Sequence, residues 1–350
     1  MAIKEQSPAS TGGATRPRKT YPVQWWAVVG AGVLLVQAVV LYRWFSTGQA
    51  VPTPTGATPV PEWMHTGIRV YEVVSVLAAA AIFYYFLWKP WRREGRITLD
   101  GMLCLAWVQA YFLQDPGYNY FHPAFSYSSV QLNLGSWTSQ IPGWTSPNGH
   151  RMPEPLIGIG GLYLWGFFGG TALCCLVMRA VRRRFPAIGT AGLIAVAIGT
   201  WVVLDFVEVA LMGLGLWHYG GAWADYSIFP DSRLKFPLYE PLFVGVFLGA
   251  ASCMRFFLDD RGRTAAEKGI DQIGVTGRKA TLVRFLAIVG MLNVMYAAFY
   301  NGPMQFFNIK ADPWPADVVS RSYLTNGLCG PGTAYECGPM REPALGTGTR

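Results

Sequence analysis

"GTAGLIAVAIGTWVVLDFVEVAL" runs from Gly189 to Leu211. It is long enough to cross a bilayer as a helix, which takes about 20 predominantly apolar residues. Near its end it carries Asp205 and Glu208, three residues apart and so on one helical face. Two carboxyls in an otherwise apolar run have no cheap structural explanation, because charge inside a span is costly and is kept for function or pairing. The stretch therefore points to a membrane helix and to a site upon it.

Six more apolar runs repeat the pattern: about Val23–Phe45, Thr66–Trp88, Ile97–Leu113, Pro155–Met178, Phe236–Phe257 and Thr281–Tyr300. The third is short and has Asp100 at one end. None shows the alternation of a barrel strand, and a hydrogen-bonded backbone in lipid is otherwise helical. Of the 350 residues 52% are apolar and only 14% charged, against about a quarter charged in a soluble domain. The expected fold is an all-α integral membrane protein of about seven transmembrane helices over residues 21–302. Its outer loops would be 46–65, 114–154 and 212–235.

Lysine and arginine set the orientation. Lys4, Arg16, Arg18 and Lys19, the loops "KPWRREGR" and "RAVRRR", and Arg255, Arg261, Arg263, Lys268, Arg278 and Lys279 all fall on one side. The N-terminus is then inside and the C-terminus outside, in a multi-pass plasma-membrane protein. Residues 1–20 read as a disordered cytoplasmic segment, and 303–350 as an irregular extracytoplasmic tail. The net charge of +8 is mostly topology, so no nucleic-acid partner is expected. Cys329 and Cys337 in the outer tail are a disulfide candidate, since that compartment is oxidising. The four histidines have no metal-ligand spacing, and neither a metal nor a cofactor motif is present.

The acids crowd one depth, just below the outer surface. Glu72 follows Arg69 by three residues, an arrangement that an ion pair also explains. Asp115 closes the third run, Glu154 opens the fourth, and Glu240 beside Tyr239 opens the sixth. Above them lies "DPGYNYFHPAFSYSS", Asp115–Ser129, with Tyr118, Asn119, Tyr120 and His122. Rings also gather at membrane interfaces as an anchoring belt, but acids and rings at one depth imply a pocket open to the outer leaflet. Asp205, Glu208, Glu240 and Asp115 are the expected catalytic groups. Tyr118, Asn119, Tyr120, His122, Glu154, Tyr239 and Glu72 are the expected substrate contacts. Two carboxyls in a low-dielectric site share a proton, which provides both a general acid and a general base. Proton-transfer chemistry without redox follows: dehydration, ketal formation or carbocation cyclisation, with rings to steady a cation.

"KPWRREGRITLDGML", "QDPGYNYFHPAFSYSS", "NLGSW", "IPGW", "PEP" and "FPLYEPLF", in that order along the chain, resemble the avermectin-type spirocyclase (AveC) family of actinobacterial membrane proteins. The resemblance covers roughly residues 25–262 and extends toward the seventh run. It implies a cyclase of secondary metabolism that closes a spiroketal on a dihydroxy-ketone polyketide, with dehydratase activity as well. Partners would then be a hydrophobic small molecule and membrane lipid. Alternatives from the same residues are a membrane terpenoid or lipid cyclase, a proton-coupled carrier, and a lipid-binding protein without catalysis.

Overall fold

The computed structural model describes residues 20–113 and 118–338. Both the N-terminal segment 1–19 and Asp115 lie outside the described residues, as does the end of the tail beyond 338.

Each of the seven runs forms a helix: α1 Pro22–Ser46, α2 Glu62–Glu94, α3 Leu99–Ala110, α4 Gly158–Arg184, α5 Thr190–Gly213, α6 Glu240–Phe256 and α7 Gly277–Asn308. Five of them, α1, α2, α4, α5 and α7, are long and apolar enough to cross a membrane. The short third run forms a helix of only 12 residues and α6 has 17.

Close backbone approach sets two of the helix pairs. A Cβ on Gly30 would fall 1.9 Å from the Leu286 carbonyl oxygen, and one on Gly290 2.1 Å from that of Trp26, so α1 and α7 touch through bare backbone. In α6, Gly245 and Gly249 serve α5 likewise: their Cβ atoms would meet Val202 and Ile198 at 2.5 and 3.0 Å. Trp107, Tyr163, Phe168 and Met102 are fully buried between the helices.

Three of the helices are locally underwound. π turns interrupt α2 at Tyr84–Trp88, α4 at Tyr163–Phe168 and α7 at Ala297–Asn301. In α5 the regular helix breaks at Phe206, where Val209 N–H reaches back only three residues. Such irregularities re-aim the side chains beside them, and the break falls between Asp205 and Glu208.

At one end the loops and tail knit into a cap. Two short antiparallel pairs organise it: β1 Ser126–Tyr127 with β2 Trp217–His218, and β3 Ser227–Ile228 with β4 Phe236–Pro237. Of the segment expected as an irregular tail, 303–308 continue α7 and 309–338 are a packed part of this cap, with α8 Ala316–Val319 and α9 Ser322–Thr325, and Tyr323 and Leu328 fully buried. Asn326 Nδ2 donates to Ser126 Oγ and the Tyr127 carbonyl at 2.8 and 2.7 Å. Trp314 Nε1 donates to the Pro123 carbonyl at 3.0 Å. A disulfide joins Cys329 to Cys337.

Candidate functional site

The loop Asp115–Ser129 owes most of its unusual composition to the cap itself. Asn119 is buried, and its Oδ1 accepts from the Ala124 and Phe125 N–H groups at 3.0 Å each, folding the loop upon itself. Tyr120 donates to the Gly143 carbonyl at 2.6 Å and packs edge-on against Trp144. The backbone N–H of His122 is held by Asn308 Oδ1 at 2.9 Å, and burial lowers the His122 pKa. Tyr118 alone of these turns inward, edge-on to Tyr219 at 6.0 Å.

Two of the acids hold the cap rather than a cavity. Glu72 pairs with Arg69 and accepts from the Leu132 N–H at 2.7 Å, while Arg69 also donates to the Val130 carbonyl. This pins the cap to the start of α2. Glu154 accepts from Ser136 Oγ at 2.9 Å and from Tyr111 at 3.4 Å. Among the described residues, the contacts of Glu72, Asn119, Tyr120 and His122 named above are made within the cap and not to Asp205, Glu208 or Glu240.

It does bring together Asp205, Glu208 and Glu240. The joining group is Tyr219, a residue that spacing alone does not single out. Its hydroxyl lies 2.7 Å from Glu208 Oε2 and 3.2 Å from Glu240 Oε1. Burial and the neighbouring carboxyls push the Tyr219 phenol well above its usual range, so it keeps its proton. Tyr300, presented by the π turn of α7, donates to the same Glu240 oxygen at 2.7 Å. Glu240 is 1% exposed and its Oε2 has no hydrogen-bond partner among the described residues; Asp205 Oδ2 likewise has none. Tyr239 stays next door, stacked on Phe307 at 3.9 Å.

Two cavities meet at Glu208. The larger, about 470 Å³, is lined by Asp205 and Glu208 together with Trp165, Phe167, Trp201, Trp217 and aliphatic side chains of α4 and α5. The smaller, about 20 Å³, has room for one water; Glu208, Glu240, Phe167, Phe247, Tyr296 and Tyr300 surround it. Phe167 reaches both because it lies in the π turn of α4.

The position of the larger chamber departs from the sequence expectation. Its walls take nothing from the loops 46–65 and 114–154, and only Trp217 from 212–235. Its rim residues Leu173 and Val207 are 52% and 57% exposed on the outer flanks of α4 and α5. The chamber thus opens sideways between helices, through apolar side chains, rather than up through the cap. The four rings that line it come from helix interiors and β2, where sequence reading sees only buried aromatics.

Among the described residues no group of three or more His, Cys, Asp or Glu side chains is placed to hold a metal ion. What the arrangement provides is proton donors and acceptors in an apolar wall.

Helices of membrane-crossing length around a carboxyl–phenol–carboxyl cluster and an apolar chamber define the class: a helical membrane-type protein with buried carboxyls. The family model of the spirocyclase AveC-like proteins matches residues 91–324, and the chain belongs to that family. The match starts after most of α2 rather than near residue 25, and it runs through α7 into the tail, so it takes in the whole carboxyl cluster and most of the cap. No curated protein and no solved structure matches the chain. The family supports a cyclase-type function.

Proposed function

We propose that the protein is a membrane-embedded acid–base cyclase that closes a spiroketal or related ring on a hydrophobic, polyketide-like substrate without redox. In this reading seven helices span the plasma membrane, N-terminus inside, and the capped end faces out. The observation that carries the reading is the chamber itself, with two carboxyls set in an apolar, ring-lined wall that opens toward lipid.

A substrate hydroxyl adds to the substrate's own ketone to give a hemiketal. Asp205, whose Oδ2 has no competing partner, protonates the hemiketal hydroxyl, which leaves as water. The oxocarbenium ion so formed lies against Trp165, Phe167, Trp201 or Trp217, whose ring faces attract positive charge. Glu208 takes the proton of the second hydroxyl as it attacks. Atoms balance: a ketone and two hydroxyls give a ketal and one water. The proton taken up by Glu208 returns to Asp205, its neighbour in the chamber wall, and resets the acid; until then Tyr219 shares it between Glu208 and Glu240, giving up its own to one carboxyl as it takes one from the other. Fixed charges and positioning in a dry site supply most of the rate. Loss of water without the second attack is dehydration, which the same groups support.

The lateral apolar opening also favours a second substrate class, an isoprenoid or lipid chain protonated by the same acid. The test uses membranes containing the full chain, with a dihydroxy-ketone polyketide in one arm and a polyprenyl chain in the other. Asp205→Asn and Glu208→Gln are each expected to lower ring closure by about 10²- to 10⁴-fold, the usual worth of a general acid or base. Unchanged turnover in both variants would overturn the acid assignment, and cyclisation of the polyprenyl chain alone would select the second class.

A further inference from the structure

At the end of the bundle opposite the carboxyls, α2, α3, α4 and α6 leave a second cavity of about 490 Å³. Glu240 opens α6 and Arg255 lies one residue from its end; at 1.5 Å per residue they stand about 22 Å apart, so the two sites are separate.

The walls of this cavity are of two kinds. Tyr85, Phe86, Leu99 and Leu258 make an apolar side. Arg93, Arg179 and Arg255 with Glu94 and Asp100 make a charged side. The charges do not cancel. Arg255 forms a two-pronged pair with Asp100, 2.9 and 3.0 Å, which uses that carboxylate. Glu94 serves both Arg93 at 3.2 Å and Arg96 at 3.0 Å. Arg179 is half-buried and has no carboxylate partner among the described residues. A half-buried guanidinium presents several donors that favour a phosphate or carboxylate.

The surroundings give the depth. Tyr84, Tyr85, Trp88 and Trp91 are exposed in the last turns of α2, the pattern of rings seated among lipid headgroups. Basic pockets between helices at that depth take anionic headgroups.

We propose that this cavity binds the phosphate of an anionic phospholipid, with Arg179 as the principal anion contact and an acyl chain running out past Tyr85 and Leu258. The site is independent of the proposed chemistry at the other end of the bundle.

The full chain in neutral detergent is titrated with phosphatidylglycerol, phosphatidylcholine and inorganic phosphate, and binding is read by native mass spectrometry and thermal melting. Phosphatidylglycerol is expected to bind saturably and raise the melting temperature, and phosphatidylcholine is not. Arg179→Gln is expected to weaken phosphatidylglycerol binding by about tenfold or more, the worth of one charged hydrogen bond, with an unchanged lipid-free melting temperature. Arg179-dependent binding of inorganic phosphate as tight as that of phosphatidylglycerol would assign the site to a free anion and overturn the lipid. Equal binding of phosphatidylglycerol to wild type and variant would overturn the site altogether. If the variant does not fold, a photoactivatable phosphatidylglycerol decides on the wild-type chain: label on peptides holding Tyr85 or Arg179 supports the proposal, and label elsewhere overturns it.

Discussion

Tyr219 has one proton and two carboxyls within reach of it, at 2.7 and 3.2 Å. A phenylalanine there keeps the ring packing against Tyr118 and Phe125 but cannot move a proton between Glu208 and Glu240. Tyr219→Phe should lower turnover by about tenfold or more, with KM little changed and an altered solvent isotope effect, if relay is its role. A rate, KM and isotope effect all equal to wild type would remove it from the mechanism. His218 offers a second test at this scale. It is buried between the Leu324 carbonyl, 3.0 Å from Nε2, and the Gly220 N–H, which donates to Nδ1 at 3.1 Å. Burial, aided by nearby Lys235, lowers its pKa from 6.5 to about 4. The folded protein therefore keeps this ring neutral where the unfolded chain would protonate it. Its contribution is fully present above pH 6.5 and is lost as the pH falls toward 4, up to about 3 kcal/mol. Melting of the purified protein between neutral pH and pH 4.5 should show this loss, and His218→Asn should flatten it. Asp205 and Glu208 were legible in the sequence, because two acids in an apolar run stand out. Tyr219 was not, because one aromatic among many in an interfacial loop looks like anchorage, and its partners come from two separate helices.

The helices carry irregularities that composition does not announce. The break at Phe206 and the π turns at Tyr163–Phe168 and Ala297–Asn301 contain no proline, and all three adjoin the carboxyl cluster. They were invisible in the sequence because they depend on which neighbour each turn meets. The apolar runs themselves were plain, down to the short third one. The glycines divide in the same way. Gly245 and Gly249, four residues apart, show a spacing that predicts close helix packing, though the partner, α5, comes only from the fold. Gly30 and Gly290 are single residues in distant helices, and only the fold brings them together. A methyl at Gly30 cannot avoid the Leu286 carbonyl at 1.9 Å unless α1 and α7 separate. Gly30→Ala should therefore cost about 1–3 kcal/mol, the range for forced overpacking, seen as a lower melting temperature in detergent. A melt identical to that of wild type would mean the helices cross less tightly than this geometry requires.

Across the whole molecule, the cap is one body made from segments far apart in sequence. Tyr323 accepts from the Ser129 N–H at 3.1 Å, Asp312 Oδ2 from the Ala224 N–H at 2.7 Å, and Ser322 Oγ donates to the Thr55 carbonyl at 2.7 Å. A chain ending at Lys310 loses all of these together. Limited proteolysis of that truncated protein should cut within 118–154, where the full chain resists; equal resistance would show that the loops hold without the tail. The tail's glycines and prolines read as an irregular segment, and it is largely irregular in backbone. Its burial was hidden because the partners of Trp314, Asn326 and Leu328 are loop residues about 200 positions earlier.

Under the proposed function, the sideways opening of the chamber beside Leu173 and Val207 has a thermodynamic consequence. A condensation that releases water is reversible, and its equilibrium position depends on the activity of water where it takes place. A reaction space continuous with hydrocarbon holds little water and dissolves a closed, less polar ring better than its open dihydroxy precursor. The bilayer would then act as the second phase of an extraction, drawing product away and setting the direction of ring closure without any input of chemical energy.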